Sequence, residues 1–466
     1  MTSEVILPSA ASGVPTSLRP RKRYPAYRDS GVDWLGEIPK HWDVRKLKYL
    51  AKVTASNVDK HSFEGEKTVR LCNYVHVYCR DYITADLDFM EATATAAEIA
   101  RFKLERGDVI VTKDSESWDD IAVPAFVQSQ MCDVLCGYHL ALIRPKSMAA
   151  DGHYLFRGFA ARGINDQFRV AANGITRYGL GKDRLGSGWF PLPPLPEQRA
   201  IADFLDRETA KIDALVAKRE RLIDLLEEKR AAVIAHAVTK GLDPNVPTKD
   251  SGIQWLGEIP AHWEVKRLMY LTQPGRPIMY GIVLPGPNVD EGVLIVKGGD
   301  VAPGRLRPDL LQKTTAEIEA GYVRSRLRPG DIVYAIRGSI GAAERIPPEL
   351  DGANLTQDAA RVAPGAAAQG EWLLWALKSR STFGQLEAGA LGATIRGINI
   401  RDLKRAFLPV PAGNEQRSIA EYLGRETSQV GTLIARVLQH IDKLREFRTA
   451  LISAAVTGKI DVRSEV

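Results

Sequence analysis

Cysteine is scarce in this chain of 466 residues. Its four cysteines are Cys72, Cys79, Cys132 and Cys136, so the second half of the chain has none. So few cysteines in so long a chain are typical of a reducing compartment, and we expect a cytoplasmic protein. Six residues separate Cys72 from Cys79, which is wider than the spacing of a zinc site. We therefore interpret all four as free thiols and predict no metal.

The signatures of common catalytic sites are also missing. The sequence has no Gly-x-x-x-x-Gly-Lys-Ser/Thr phosphate loop, no His-Glu-x-x-His metal site and no Asn-Pro-Pro-aromatic tetrapeptide of amine methylation. Pro308-Asp309, followed by Glu317 and Glu319, resembles part of a nuclease signature, but the terminal lysine of that signature is absent. The sequence thus predicts no catalytic residue and no cofactor for this chain itself.

Long apolar runs are absent as well. No run reaches the roughly 18 residues that cross a bilayer, and residues 1–28 lack the apolar region of a signal peptide, so we expect no membrane partner. What the chain does have is a mild excess of positive charge, with a net charge of +6 and a pI near 9.0. That excess permits a polyanionic partner. The basic run at 21–23 lies in a Pro- and Ser-rich tail, which we interpret as a loose leader rather than a DNA-binding arm.

Two segments about 220 residues apart repeat each other. One begins at Asp29 and reads DSGVDWLGEIPKHWDVRKLKYL; the other begins at Asp250 and reads DSGIQWLGEIPAHWEVKRLMYL, with about two-thirds of the positions identical. A second repeated block follows each: PLPPLPEQRAIADFLDRET from Pro191 and PVPAGNEQRSIAEYLGRET from Pro409. The order predicts a tandem duplication, each half running head motif, variable domain, long helix. Because both halves share the head-motif tryptophans, we interpret them as packing residues rather than base-stacking ones.

Each half ends in a stretch that is typical of a long helix. Residues 197–238 contain no proline or glycine, and their apolar residues recur at heptad spacing. Residues 415–456 repeat the pattern, so we expect the two helices, each about 60 Å long, to pair as an antiparallel coiled coil. The predicted seam residues are Ile201, Leu205, Ile212, Leu215, Leu222, Leu226 and Val233 in the first helix and Ile419, Leu423, Val430, Leu433, Val437, Leu444, Phe447 and Leu451 in the second.

The variable segments are typical of mixed α/β globules, since short β-branched runs alternate with glycine and proline turns. Residues 104–111 and 327–334 each predict a Gly-Asp turn followed by a buried strand, and helices are predicted near 153–170 and 370–387. The fold class is therefore mixed α/β, with two globules separated by two long helices in a pseudo-twofold arrangement. The predicted division is 1–23 disordered basic tail, 24–196 first globule, 197–240 central helix, 241–249 linker, 250–414 second globule and 415–460 C-terminal helix.

Loops at equivalent places of the two globules carry the residue types that read DNA bases. Glycine lets the backbone approach a partner closely, Arg pairs with guanine through two hydrogen bonds, and Asn or Gln pairs with adenine. The candidate DNA-binding residues are Lys113, Ser115, Ser117, Trp118, Asn173, Arg177, Tyr178 and Lys182 in the first globule and Tyr280, Lys297, Arg337, Ser339, Gln357, Arg396 and Asn399 in the second.

These motifs together resemble those of one known family. Two head motifs of the form DSG-x-x-WLGEIP-x-HW, each followed by a variable domain and then by EQR-x-IA, RET, a long helix and AVT, are similar to the specificity (S) subunit of type I restriction–modification systems. The resemblance extends from Tyr24 to Asp461, and both motifs occur twice in the family's order.

The resemblance implies that each globule is a target-recognition domain that reads one half of a bipartite site in double-stranded DNA. The helix pair would set the spacer and dock two methyltransferase (M) subunits, and two restriction (R) subunits would complete the nuclease. It also implies no catalysis by this chain, because S-adenosylmethionine, ATP and Mg²⁺ belong to the partner subunits.

Two other functions remain open on the residues alone. A coiled-coil scaffold would keep the helix pair without reading DNA, and it would bind a bipartite duplex and a scrambled one equally. A stand-alone DNA-modifying enzyme would need a carboxylate cluster or a cofactor loop, and it would bind a labelled cofactor as the pure chain.

Overall fold

The computed structural model describes residues 22–389 and 397–463, and the chain divides into two compact units. Unit 1 consists of Met1–Lys218 with Gln439–Val466, and unit 2 consists of Arg219–Leu438. Each unit therefore contains part of both long helices, whereas the sequence led us to separate the helices from the globules. The tail predicted at the N-terminus lies outside the described residues, apart from its last two positions.

Unit 1 is built on two small sheets. One has five strands in the order β4-β12-β8-β10-β6 and the other has three in the order β11-β5-β7; only the β10–β6 and β11–β5 pairs are parallel. The strands are β1 Tyr27–Asp29, β2 Glu37–Pro39, β3 Asp43–Lys46, β4 Ala51–Ala55, β5 Lys67–Cys72, β6 Tyr82–Ile83, β7 Met90–Ala94, β8 Val109–Thr112, β9 Asp114–Ser115, β10 Pro124–Val127, β11 Val134–Cys136, β12 Leu140–Pro145, β13 Tyr178–Gly179 and β14 Trp189–Leu192.

The helices of unit 1 include the first of the two long ones. The helix predicted near 153–170 is confirmed as two helices, α4 and α5, which are separated by Ala161 in an extended conformation. The predicted central helix is confirmed as α7, which begins two residues earlier than predicted, directly after a pair of prolines. The helices are α1 Leu47–Leu50, α2 Tyr74–Tyr78, α3 Ala96–Phe102, α4 Gly152–Ala160, α5 Arg162–Ala171, α6 Lys182–Gly186 and α7 Leu195–Lys240.

Unit 2 has a four-stranded sheet in the order β18-β24-β21-β22 and a three-stranded sheet in the order β20-β19-β23. The linker predicted at 241–249 ends inside β15, which pairs with β16. The strands are β15 Thr248–Asp250, β16 Glu258–Pro260, β17 Glu264–Arg267, β18 Met279–Tyr280, β19 Val293–Val296, β20 Gln312–Thr314, β21 Ile332–Ala335, β22 Ala343–Arg345, β23 Asn354–Leu355, β24 Ala359–Val362 and β25 Phe407–Val410. The helices are α8 Ala316–Ala320, α9 Gly370–Lys378, α10 Arg380–Gly389, α11 Ile400–Arg405 and α12 Gly413–Val456.

The Gly-Asp turns predicted in both globules lead into buried strands, as expected. All four residues of β8 and all four of β21 are buried. Gly107 and Gly330 have φ values of +97° and +88°, a region that favours glycine. The aspartate that follows each glycine accepts the backbone N–H three residues back, at 2.8 Å in both units. A glycine that allows the turn and a carboxylate that closes it thus explain why this dipeptide repeats.

In unit 1, the beginning of α7 packs against the end of α12. Ile201, Leu205 and Ile212 share a core cluster with Leu451 and the residues that follow it. The beginning of one long helix and the end of the other therefore contribute to one core. Burial of this apolar face against the globule draws the helix segments into the compact unit.

Polar contacts add to this packing. Arg448 on α12 donates to Asp213 on α7 at 3.0 Å and to Asp81 in the loop before β6 at 2.6 Å. Arg157 on α4 is buried and donates to Asp206 on α7 at 2.6 Å. A buried charge with such a partner fixes the helix to the globule, because losing that partner is costly.

In unit 2, the end of α7 and the beginning of α12 contribute to one core: Val238 and Ile234 share a core cluster with Ile419 and Leu423. Most predicted seam residues of both helices are buried or half-buried. Leu433 is the exception, because it is 47% exposed.

The position of Leu433 corrects the predicted seam. Apart from Gly431, the buried or half-buried positions of α12 around it are 430, 434, 437, 441 and 444, which alternate steps of four and three. Leu433 stands one residue before this series, and 100° of helix rotation turns it toward solvent. Ile441, which we did not predict, belongs to the series and is 3% exposed. None of the helices in the described ranges is both long and apolar enough to cross a membrane.

The two repeated sequence motifs meet at the beginning of each long helix, in an arrangement that we call the helix-start latch. In unit 1, Glu197 accepts a hydrogen bond from Trp42 Nε1 at 3.1 Å and lies 2.8 Å from His41 Nε2. In unit 2, Glu415 lies 3.0 Å from both Trp263 Nε1 and His262 Nε2. The His-Trp pair of the head motif and the glutamate of EQR therefore recur together because they bind each other.

The glutamine of EQR completes this junction in both units. Gln198 accepts from the backbone N–H of Asp151 at 2.8 Å and donates to the carbonyl of Pro193 at the same distance. Gln416 accepts from the backbone N–H of Gln369 at 2.7 Å and also donates to a proline carbonyl. Both glutamines are almost fully buried, so their hydrogen bonds satisfy groups that would otherwise be costly to bury.

The latch of unit 1 has a further donor. Tyr24 donates its hydroxyl to Glu197 at 2.7 Å, and burial together with this carboxylate raises the pKa of Tyr24 well above its usual value. The guanidinium of Arg463 lies 5.0 Å from the Tyr24 ring. Glu197 is consequently 7% exposed, whereas the Glu415 side chain is 26% exposed.

This difference predicts unequal effects of removing the two glutamates. Glu197→Ala leaves buried donors without an acceptor, so we expect a loss of about 3 kcal/mol of stability. That loss corresponds to a lowering of the melting temperature by at least about 5 °C. Glu415→Ala is the matched control and should cost less, about 1 kcal/mol, because water can reach His262 and only the indole N–H of Trp263 is left buried without an acceptor. Calorimetry of both variants checks this; equal shifts would contradict the role assigned to burial.

Candidate nucleic-acid interface

Unit 1 brings together the two loops that carry its candidate residues. Strands β9 and β13 pair antiparallel, with Tyr178 opposite Ser115 and Gly179 opposite Asp114. Asn173 and Gly179 exchange backbone hydrogen bonds of 3.1 and 2.8 Å, which close the glycine-bracketed loop. A Cβ atom at position 179 would lie 3.2 Å from the Asp114 carboxylate, so glycine allows this close approach.

Asp114 is the centre of a charged cluster between these loops. Its carboxylate accepts from Lys113 Nζ and lies 3.0 Å from His139 Nδ1. Arg177 places Nη2 2.8 Å from His139 Nε2. Burial raises the pKa of the Asp114 carboxyl, but the hydrogen bonds from Lys113 and His139 outweigh burial and leave that pKa below its usual value. One carboxylate thus faces two permanent cations, and the cluster is net positive.

The position of Ser115 argues against the direct DNA contact that we predicted for it. Ser115 is 8% exposed, its hydroxyl lies 3.2 Å from the Tyr74 hydroxyl, and it accepts from the backbone N–H of Ser117. A hydroxyl with partners inside the protein supports the loop rather than facing a ligand. Of the other candidates, Lys113, Ser117 and Tyr178 are half-buried, and Trp118, Asn173, Arg177 and Lys182 are exposed.

Two tyrosines that sequence reasoning missed support this loop from beneath. Tyr74 and Tyr78 stack on one face of α2, with ring centroids 5.6 Å apart. Tyr74 bonds Ser115, and the nearby charge and hydrogen bond of Asp120 raise the pKa of Tyr78. Their spacing of four residues was the available signal, since it puts both rings on one helix face. In the sequence, residues 72–79 stand out for their two cysteines, whose spacing is too wide for a zinc site.

The histidine of this helix, His76, has a structural role. His76 accepts from the backbone N–H of Asn73 at 3.0 Å and lies 2.9 Å from the carbonyl of Asp88. Cys72 is buried, which raises the pKa of its thiol to about 12, and Cys79 is exposed. Among the described residues, no group of three His, Cys, Asp or Glu side chains is placed to hold a metal ion.

In unit 2, the loop after β21 opens onto a polar cleft of about 430 Å³. Arg337, Lys297 and Arg305 line it together with Asp300 and Asp358. The backbone is tightly packed here, since a Cβ atom at Gly298 would lie 2.5 Å from the Arg337 carbonyl oxygen. Three cations against two carboxylates again leave a net positive surface.

The second loop of unit 2 also meets the first. A Cβ atom at Gly397 would lie 3.4 Å from Arg337 Cγ, much as Gly179 approaches Asp114 in unit 1. Asn399 uses its side-chain oxygen to cap α11, accepting from Arg401 at 2.8 Å. Arg396 lies outside the described residues. The remaining candidates are Tyr280 and Ser339, which are exposed, and Gln357, which is half-buried.

The chain matches a family model and several characterised relatives. The family is described as the type I restriction modification DNA specificity domain, and its model matches residues 39–223. The type I restriction enzyme EcoBI specificity subunit of Escherichia coli is 28% identical over 307 residues, covering 65% of this chain and 64% of that protein. A putative type I restriction enzyme MjaX specificity subunit of Methanocaldococcus jannaschii is 23% identical over 436 residues, covering 92% and 96%. This chain therefore spans slightly less than two thirds of the E. coli relative.

Solved structures share the fold. A chain from work on complex assembly and conformational transition of the type I R-M system superposes with a TM-score of 0.66 at 17% identity, covering 90% of this chain and 98% of that one. The HsdS subunit from Thermoanaerobacter tengcongensis superposes with a TM-score of 0.51 at 19% identity, covering 91% and 98%. At these identities the similarity supports a common fold for the two chains and this one.

If the hydroxyls of Tyr74 and Tyr78 hold the loop at 113–120, removing them should loosen that loop alone. The double variant Tyr74→Phe with Tyr78→Phe removes both hydroxyls but keeps the stacked rings, so we expect faster amide exchange in that loop and an unchanged melting temperature. Hydrogen-exchange mass spectrometry measures the first and calorimetry the second. Tyr49→Phe, at a ring that is 59% exposed, is the control. Unchanged exchange in the double variant would mean that the hydroxyls do not hold the loop.

Proposed function

We propose that this chain is a specificity subunit of a type I restriction–modification system and that it supplies the DNA sequence recognition of that system. In this proposal each unit reads one half of a bipartite site in double-stranded DNA. The chain is a recognition component rather than an enzyme, so S-adenosylmethionine, ATP and Mg²⁺ belong to its partner subunits. The cytoplasm, where chromosomal DNA is accessible and thiols stay reduced, is the compartment we propose for it.

One observation carries the proposal. In both units the loop after the buried strand, β8 or β21, lies against a second glycine-containing loop, and the side chains of these loops differ between the units. In unit 1 the loops present Lys113 and Arg177 around a carboxylate, and in unit 2 they present Arg337 beside Lys297 and Arg305. Both surfaces present lysine and arginine side chains that can contact phosphate, and both expose groups that pair with base edges. Two loop pairs with different side chains would read two different half-sites.

The long helices would dock the partner subunits. Some of their charged side chains pair along their own helix, as in Lys211–Glu208 at 2.7 Å and Arg230–Glu227 at 2.5 Å. Exposed pairs of this kind contribute little stability, so a partner's charges can replace them at small cost. We propose that two methyltransferase subunits bind these faces and that two restriction subunits join them.

Binding measurements test the proposal. Long-read mapping of methylated adenines in host DNA gives the bipartite site, and the full chain with its methyltransferase partner is then bound to that duplex and to a scrambled one. We expect preference for the bipartite duplex and an affinity that falls as salt rises, because phosphate contacts release counterions. Equal binding to both duplexes would favour a scaffold, and methyl transfer by the chain alone would favour a stand-alone enzyme.

We also propose that the helix pair sets the spacer between the half-sites. Removing one heptad from each helix, residues 219–225 and 436–442, shortens each by about 10 Å. At about 3.4 Å per base pair, the preferred spacer should shorten by about three base pairs. Inserting one heptad at the same places is the matched control and should lengthen it equally. Methylated motifs that keep their spacer in both variants would rule out the helix pair as the ruler.

A further inference from the structure

The side chain of His139 stands between a carboxylate and an arginine on the recognition surface of unit 1, and nothing so far assigns it a role. We propose that His139 is a positioning residue that holds Arg177 in place to read a guanine in the half-site of unit 1. The inference rests on the proposed function and names one base contact within it. Arg177 would touch the base, and His139 would act only through Arg177.

The backbone of His139 is held in an unusual conformation. Its φ is +71°, and Ala122 is the one other non-glycine residue of the described ranges with a positive φ. Such a conformation is disfavoured for a residue with a Cβ atom and persists where the surroundings impose it, often at functional sites. Here the His139 carbonyl accepts from the backbone N–H of Lys113 at 2.9 Å, which ties the turn between β11 and β12 to the recognition loop.

The neighbours of the imidazole hold it at one edge and on its face. Asp114 can only accept hydrogen bonds, so His139 Nδ1, 3.0 Å from its carboxylate, carries a proton. Arg177 Nη2 lies 2.8 Å from Nε2 and 3.2 Å from Nδ1, and an atom almost equally close to both nitrogens lies over the face of the ring, so the guanidinium stacks on the imidazole. The ring of Tyr138 also lies against the imidazole, with centroids 3.9 Å apart.

This arrangement orients the guanidinium without neutralising it. Arg177 has no carboxylate partner within residues 22–389 and 397–463, and its side chain is exposed. A carboxylate in place of the imidazole would cancel the positive charge that a nucleic acid attracts. Because the guanidinium rests on the imidazole face, the N–H donors at its edge remain available for the O6 and N7 acceptors of a guanine.

Unit 2 places a guanidinium at the corresponding point by a different route. Asp114 follows the Gly-Asp aspartate of unit 1 by six positions, and Arg337 follows that of unit 2 by six. Unit 2 thus has Arg337 at the position where unit 1 has Asp114. In unit 1 the arginine comes from the second loop, and His139 lies between it and Asp114. Each loop pair exposes a guanidinium, that of Arg177 in unit 1 and that of Arg337 in unit 2. An arginine at this point in each unit is consistent with a base-reading role.

Four variants of the full chain separate positioning from folding. His139→Gly removes the imidazole and also relieves the unfavourable φ, so the fold should not be weakened. His139→Asn tolerates a positive φ and keeps a planar group that can donate to Asp114, so partial rescue is expected. Arg177→Ala removes the reading group, and Arg177→Lys keeps its charge but loses the fork.

Each variant, bound to its methyltransferase partner, is used to select sites from a random duplex library at one fixed salt concentration. We expect the wild type to enrich a bipartite motif with a guanine in one half-site. His139→Gly, Arg177→Ala and Arg177→Lys should each lose discrimination at that base by about tenfold or more. The other half-site should be unchanged in every variant, which provides an internal control, and the melting temperature of His139→Gly should not fall.

The possible failures are distinguishable. A wild-type selection without any enriched half-site would overturn the proposed function, and this inference with it. A bipartite motif that His139→Gly leaves intact would overturn the positioning role alone. If Arg177→Lys kept the base preference while Arg177→Ala weakened binding to all sequences and reduced the salt slope by about one, Arg177 would contact phosphate and not guanine.

Discussion

The carboxylate at the beginning of each long helix is the interaction on which the rest of the structure depends. Glu197 and Glu415 each receive an indole N–H and lie beside an imidazole from a head motif more than 150 residues away in sequence. Two adjacent partners with fixed directions determine where the helix begins and how it is rotated. That rotation turns the apolar stripe toward the core, and the stripe then brings the far end of the other helix against it.

Because the helix is fixed in this way, the loops that carry the candidate DNA-binding residues can differ between the two units. The loops lie beyond a buried strand, β8 or β21, whose position is set by the core and by a closed Gly-Asp turn. Side chains at their tips contact few core residues, so an aspartate in one unit and an arginine in the other fit the same backbone. One fold can therefore present two different loop surfaces, because the buried strands keep their positions while the exposed side chains of the loops change.

Much of the fold could be predicted because its signals are local. The long helices follow from heptad spacing over stretches without proline, and the buried strands follow from a turn dipeptide before β-branched residues. The repeat of head motif and EQR indicated that they act together, although the sequence could not say that they touch. The seam was wrong at Leu433 and missed Ile441, because a shift of one residue changes the face of a helix but hardly changes the average spacing.

The sequence by itself determined the mixed α/β class, the two long helices and the loops in which candidate residues lie, since periodicity, turns and repeats depend on neighbours along the chain. Only the tertiary structure decided that Ser115 faces inward, that Tyr74 supports it and that His139 joins Asp114 to Arg177. Those contacts depend on strand pairing between segments more than 20 residues apart, which no local pattern encodes. The division of each helix between two compact units has the same origin, because burial against a globule is a property of the folded chain.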